Sequence, residues 1–535
     1  MMVKSILFLL MACVVFAQDN KNTADQPLDL QEFVITGKTN ADIKGGSKLK
    51  PQKPGLLTKI ELDSINTDLK IPMPLLPFIP LPVSSLQTNA VTGFLNGEFG
   101  LFVTPKIDAG YSFNLGGYAV DILANLERSS GHLDNADFSK MGCALNARYD
   151  APKKFVFFGG SRTESQLSYA SSTFRLFGVD RSNMIERTVN DIGANVHVKG
   201  TVGEYAYSMG ALWQSLSIQS DTLPFSDSRI KGFVDFTAPV LGLDMKSSLM
   251  VDLHSYGDSS SYSFIQAGVS SSWTRGDITI RGGLGLQTAT NTESTQFGAI
   301  QVHADVDYRM SSDFTGYMQF QTGLANTSLS ELLSLNPYLM HAPVISFRRD
   351  DITISPMLQW HPDIDLSASF KATYRSSSNI PVMVPNSIEA GRFAGFSIEY
   401  LSGTILDLRL ESQWKAFKHT VLGAFGSYVI SSLNNTDKQI PMIAPTTIGL
   451  RFERIWTEEL RSLISIEHVG ARSILIDGSQ ELPAYIMANV RLDYTVKKDF
   501  DVYVRIDNLL NASVYLWNRF RERGTFAALG ARYLF

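Results

Sequence analysis

From about residue 96 to the C-terminus the chain alternates apolar and polar residues with a period of two. In Tyr485-Ile-Met-Ala-Asn-Val-Arg-Leu-Asp-Tyr-Thr-Val496, Ile486, Ala488, Val490, Leu492, Tyr494 and Val496 share one parity, and Asn489, Arg491, Asp493 and Thr495 the other. Successive side chains of a strand point to opposite faces, so each such run predicts a strand with one apolar and one polar face. The turn Lys497-Lys-Asp499 is followed by a second strand with Phe500, Val502, Val504 and Ile506 on one side and Asp501, Tyr503, Arg505 and Asp507 on the other. The closing run, Thr525 to Phe535, sets Leu529, Tyr533 and Phe535 against Arg532.

The same alternation recurs upstream. Leu243, Met245, Leu249, Val251 and Leu253 oppose Asp244, Lys246, Ser248 and Asp252; Ile300, Val302, Ala304, Val306 and Tyr308 oppose Gln301, His303, Asp305, Asp307 and Arg309; Leu366, Ala368, Phe370 and Ala372 oppose Asp365, Ser367, Ser369 and Lys371. Tight turns such as Ser311-Ser-Asp313, His361-Pro-Asp363 and Thr457-Glu-Glu459 alternate with longer segments at Ala325–Ala342, Ser376–Arg392 and Ser431–Ala444. Strands of about ten residues, charge on one face, aromatics near their ends and turns alternating short and long are the signature of an all-β, antiparallel transmembrane β-barrel. The pattern predicts about 20–22 strands. The up-down count does not close between Ser376 and Ser431, and Arg392–Ile430 resists assignment.

Several of these stretches resemble one family. Leu482-Pro-Ala-Tyr485, Val490-Arg-Leu-Asp-Tyr494, Asp501-Val-Tyr-Val-Arg-Ile-Asp-Asn-Leu-Leu-Asn511, Tyr515 and Gly530-Ala-Arg-Tyr-Leu-Phe535 look like the closing strands of TonB-dependent outer-membrane receptors. The resemblance is good over the last fifty or so residues and diffuse before them. It implies a barrel in the outer membrane, a solute as ligand, TonB as periplasmic partner, and in Tyr533 and Phe535 the signal read by the barrel-assembly machinery. It also casts Glu32, Phe33, Val34, Ile35, Thr36 and Gly37 as a TonB-box-like stretch. Such a stretch would add a strand to its partner through main-chain hydrogen bonds, with Phe33, Val34 and Ile35 supplying the side-chain contacts.

The N-terminal part has another texture. Lys4 and the apolar run Ile6–Phe16, ending Val-Val-Phe-Ala-Gln18, read as a signal peptide cleaved after Ala17. The expected organisation is a signal peptide at 1–17, a periplasmic segment at 18–90 and a barrel at 91–535. Within the middle segment Ile71-Pro-Met-Pro-Leu-Leu-Pro-Phe-Ile-Pro-Leu-Pro82 carries five prolines, which favour polyproline II and demand apolar cover, from this barrel or from a partner. The family's plug domain is larger than the space between box and barrel here, so a full plug is not expected.

Composition narrows the picture. At 44% hydrophobic and 19% charged, with no later run of eighteen apolar residues, the chain does not cross a membrane by helices. A net charge of −5 over 535 residues leaves no basic footprint for nucleic acid. With Cys13 inside the leader, Cys143 has no disulfide partner. No nucleophile elbow, phosphate loop or zinc helix stands out, so the chain does not read as an enzyme, and it calls for no cofactor or metal. His303, Asp305 and Asp307 share a strand face, but positions i and i+4 of a strand lie about 13 Å apart and cannot hold one ion. Arg491, Asp493, Arg505, Asp507 and Arg532 are the lumen candidates, expected to pair across strands and tune the pore. Three functions stay open: a receptor-type barrel that binds or transports a solute, a passive porin-like channel, and a barrel that anchors a partner.

Overall fold

A computed structural model of the chain describes residues 92–535, except 116, 154–157, 180–184, 221–223, 340–341, 389–391 and 435–437. The leader, the proline-rich stretch and all six residues of the box-like stretch, Glu32, Phe33, Val34, Ile35, Thr36 and Gly37, lie outside the described residues. Strands β1 to β26 follow in chain order, and twenty-two of them form one antiparallel sheet. Two short hairpins, β20–β21 (Arg472–Ser473, Glu481–Leu482) and β24–β25 (Tyr515–Trp517, Phe520–Arg521), stand apart from it.

The sheet closes on itself. β1 (Gly93–Gly100) pairs antiparallel with β26 (Phe526–Leu534), from Phe94 opposite Leu534 to Gly100 opposite Ala528. Beyond the ladder Phe535 O accepts from the amides of Thr92 and Gly93, at 2.8 Å each. Closure answers the demand made by hydrocarbon, where an unpaired strand edge would leave a row of unsatisfied amides and carbonyls.

Side-chain parity runs as the sequence pattern predicts. The apolar set faces outward, with Leu286, Ile300 and Leu529 among its most exposed members. Aromatic pairs gird this face at one end of the barrel: Tyr118 stacks on Tyr149 at 4.6 Å, Tyr205 on Phe236 at 5.5 Å and Tyr533 on Phe535 at 5.7 Å. That is where the ring of an interfacial residue is favoured, half in lipid and half wet.

The two rims differ. At the aromatic rim the turns are tight, as at Leu241-Gly242, where φ values of 54° and 79° suit a two-residue turn that follows the strand twist. At the other rim lie the segments 326–347, 434–445, 470–484 and 508–525. Short turns face the periplasm and long loops the exterior, so this asymmetry orients the barrel.

Two expectations need correction. Ser376–Arg392 is not a loop: β15 (Leu366–Ile388) and β16 (Arg392–Phe417) continue as one hairpin past the length needed to cross a bilayer. Their register shifts between Ser377 and Ile380 and again between Pro385 and Ser387, and each shift breaks the two-residue period. Pro381 and Pro385 are tolerated because β14 (Arg348–Trp360) stops pairing at Ser378, so above that point β15 has a neighbour on one side only. The polar parity of Asn489 predicts a residue open to the lumen, but it is 7% exposed and accepts a 2.9 Å bond from Asn508 N.

The seam between first and last strands is stapled inside the lumen. Gly530 of β26 has no side chain, and Tyr503 of β23 (Phe500–Asp507) lies over it; a Cβ there would sit 2.1 Å from Tyr503 Cζ. The phenol thereby reaches across β26 to donate to Asn96 Oδ1 or Glu98 Oε2 of β1, each at 3.1 Å.

Two tests follow from parity and seam. Val490→Arg, mid-strand on the lipid face, should cost about 2–4 kcal/mol in a bilayer, while Gln413→Arg, exposed on the lumen face, should cost little. Equal losses in denaturant titrations of refolded barrels would contradict the assigned parity. Gly530→Val should displace Tyr503 and destabilise by about 1–3 kcal/mol, read as a lower temperature for loss of the compact band on gels.

Candidate functional site: a loop cap across the mouth

The cap is built from segments that begin at distant points of the barrel. Between β13 (Phe314–Ala325) and β14 the chain makes a short helix, α1 (Leu329–Leu335), started by a capping box in which Ser328 Oγ accepts from Glu331 N and the Glu331 carboxylate accepts from Ser328 N. Its apolar side, Leu329 and Leu332, is fully buried. Between β23 and β26 the chain turns at Asn508 and Asn511, both left-handed with φ of 49° and 52°. Asn508 holds the turn through its own side chain, accepting from Ala512 N and donating to Ala512 O and Arg523 O. Both asparagines lie in the Asp507-Asn-Leu-Leu-Asn511 run.

That connection delivers Phe520 to the centre of the cap. Its ring has no exposed surface and stacks on Tyr338 at 3.6 Å. It also meets the edge of Phe177 at 5.2 Å and lies 6.4 Å from Phe396, which in turn receives Trp517 at 5.2 Å. Phe177 follows β5 (Arg162–Arg175), Tyr338 lies between β13 and β14, and Phe396 is on the projecting β16. Strands so far apart around a closed barrel can share one aromatic contact only if their connections reach inward over the mouth.

Polar ties fasten the cap to the wall. Arg187 of β6 (Glu186–Val202), 4% exposed, donates to Pro337 O at 2.7 Å, and Tyr256 donates to Pro343 O at 2.6 Å. The Tyr400 hydroxyl donates to Val344 O and accepts from Ser346 N. Within the cap, Arg472 of the β20–β21 hairpin, 2% exposed, donates to the carbonyls of Tyr515 and Leu516. His132 Nε2 lies 2.7 Å from Arg521 O. Burial lowers the His132 pKa, the bond to Arg521 O opposes that, and the charges of Arg523 and Arg521 add to the lowering. The net lowering favours the neutral ring, whose Nε2–H can still donate to the carbonyl.

The sequence-derived candidates lie elsewhere. Arg491, Asp493, Arg505, Asp507 and Arg532 line the lumen, but only Arg532 has a carboxylate partner directly opposite, donating to Asp501. The register sets Arg491 opposite Arg505. Like charges facing each other turn away. Arg491 bonds Asp493 two residues along at 2.7 Å; Arg505 bonds Asp507 and crosses the seam to Glu98 at 2.6 Å. His303, Asp305 and Asp307 follow one another along β12 (Gln296–Arg309), with Arg281 paired to both carboxylates. Among the described residues no group of three ligands could hold a metal ion. His303 and Asp305 also border a wall cleft of about 210 Å³ with Gln266, Gln301 and Gln319. Tyr533 and Phe535 sit on the outer face at the seam, where Phe535 stacks 6.2 Å from Tyr111. Glu32, Phe33, Val34, Ile35, Thr36 and Gly37 precede the described residues and take no part in this geometry.

No family model matches the chain, and no curated protein matches it. Solved structures do. The copper transporter OprC aligns with a TM-score of 0.67 at 10% identity, over 83% of this chain and 80% of its own. The ferric-catecholate import receptor Fiu from E. coli K12 gives 0.63 at 10%, over 84% and 82%, and the ferric yersiniabactin uptake receptor FyuA from Yersinia pestis 0.63 at 12%, over 84% and 80%. The fold is that of a TonB-dependent receptor barrel. These neighbours are receptors and a transporter, and the chain here shares their fold, a multi-pass β-barrel of the outer membrane.

The cap residues Phe177, Tyr338, Phe396, Trp517 and Phe520 escape sequence reasoning, because no sustained two-residue period runs through the cap and their partners lie far away in the chain. Phe520→Ala empties the centre of the cap, a loss of about 3–5 kcal/mol for a buried phenylalanine. Trypsin should then cut at Arg519, Arg521 and Arg523 much faster while the barrel stays heat-modifiable. Phe417→Ala on the exposed short-turn rim is the control; equal cutting of both variants would contradict a packed cap.

Proposed function

We propose that this chain is a gated solute receptor of the outer membrane: a solute is held at the outer face, the cap opens, and the solute passes into the lumen. The observation that supports the reading is the fully buried Phe520, where connections from around the barrel meet over the mouth. A passive porin needs a continuous water path, which a packed aromatic centre opposes. The box-like stretch supplies the second half of the proposal. TonB would bind Glu32, Phe33, Val34, Ile35, Thr36 and Gly37 as an added strand and pull on the segment up to Pro82. The cargoes of the neighbours, ferric chelates and copper, do not transfer at such low identity, so the solute stays unspecified.

Planar-bilayer recording separates the readings. The intact protein should conduct weakly, and deleting Asp19–Pro82 should raise single-channel conductance and abolish TonB binding. Large conductance of the intact protein would favour the porin reading. A barrel still closed after the deletion and after Phe520→Ala would leave only the role of a membrane anchor for a partner.

A further inference from the structure

Beneath the cap, on the wall formed by β8 (Phe225–Val240), β9 (Leu243–Tyr256) and β10 (Ser260–Arg275), lies a group of charges that water does not reach. Asp252 is 0% exposed, Asp227 and His254 4% and Tyr262 2%. His254 stands between the two carboxylates: Nδ1 is 3.0 Å from Asp227 Oδ1, and Nε2 is 3.2 Å from Asp252 Oδ1, an ionic contact bent away from hydrogen-bond geometry. Its ring stacks on Tyr262 at 3.9 Å. Arg229 closes the group with a two-pronged bond to Asp252, at 2.9 and 2.6 Å.

Two contacts of this group belong to the cap. Asn326 Nδ2 donates to Asp252 Oδ2 at 2.7 Å. The amide of Leu329, first residue of α1, lies 3.4 Å from the Tyr262 hydroxyl, which itself donates to Asp227 Oδ2 at 2.9 Å. Residues 326–329 are the foot of the segment that carries Tyr338 to Phe520. The carboxylates that hold His254 thus also hold the foot of the cap.

Charge decides what keeps them in place. A neutral imidazole carries one N–H and would turn its other nitrogen, lone pair outward, onto a carboxylate. The imidazolium donates to Asp227 and sets its positive charge against Asp252, and with Arg229 it balances both acids. The other groups facing the cluster are Lys231 on β8, Glu331 in the first turn of α1 and the hydroxyl of Tyr256, which is bonded to Pro343 O. None of them stands between His254 and the two carboxylates.

We propose that His254 is a pH-sensitive latch of the cap, whose charged ring keeps Asp227, Asp252 and Tyr262 aligned with Asn326 and Leu329. It rests on the gated reading above and adds its regulation. Since the charged form belongs to the closed state, closure is held while the ring is protonated and its carboxylates are ionised, and it weakens as rising pH removes the imidazolium proton.

The test uses full-length protein in liposomes with Cys143→Ser and nitroxide labels at Ser334→Cys in α1 and Ser479→Cys on the connection before β22 (Tyr485–Lys497). Electron-spin distances are measured from about pH 6 to about pH 10, a range that brackets ordinary imidazole titration. The latch predicts one narrow distance at the acid end that broadens and shifts as pH rises. His254→Gln and Asn326→Ala should give the broad distribution at every pH, the second without altering the buried charges. A narrow distance at both ends of the range, or a pH response that survives in His254→Gln, overturns the latch. A distribution already broad at the acid end in the otherwise native protein overturns the closed cap itself, which tells the two failures apart.

Discussion

The hydrogen-bond ladder between β1 and β26 is the contact on which the rest depends. In hydrocarbon each unsatisfied backbone group costs several kcal/mol, so an open sheet of this size could not stay in a membrane. Closure explains why the strand number is even, why both ends of the described chain meet at the short-turn rim, and why Phe535 O takes two amides at the seam. It also explains Gly530. Only a residue without a side chain lets Tyr503 reach over β26 to β1, adding a side-chain tie where the ladder begins and ends.

A closed barrel of twenty-two strands encloses far more space than side chains alone can fill. The long loops close its outer mouth by a different principle from the wall. The wall is held by backbone pairing and tolerates many side chains. The cap has little backbone pairing, two small hairpins apart, and relies on burial of Phe520, Tyr338, Phe396 and Trp517, tied to the wall by a few charged or hydroxyl groups. Such a body can come loose without unfolding the barrel beneath it.

The barrel was legible in the sequence because period two is a local property: Val490 and Asn489 declare their faces without reference to distant residues. Legibility failed where backbone geometry broke the period, at the two register shifts of β15 and β16, which hid the outer part of that hairpin inside an apparent loop. It failed again for pairing. Cross-strand salt bridges are a fair expectation for Arg491 and Arg505, yet the register sets the two face to face: Arg491 turns to Asp493 on its own strand, and Arg505 bonds Asp507 on its own strand and reaches past β26 to Glu98. Asn489 looked like an ordinary lumen residue, and its bond to Asn508 N appears only once the turn after β23 is in place.

By itself the sequence determined the fold class, the lipid and lumen faces of most strands, the orientation implied by short and long connections, and the resemblance to a receptor family. All of these follow from repeats within a few residues or from short motifs. Tertiary structure alone decided the strand number, the staple over Gly530, the aromatic centre of the cap and the buried Asp227–His254–Asp252 group. Each depends on residues brought together from far apart in the chain, Phe177 with Phe520 or Asp252 with Asn326, and the alternation that reveals a strand says nothing about which distant side chain it will meet.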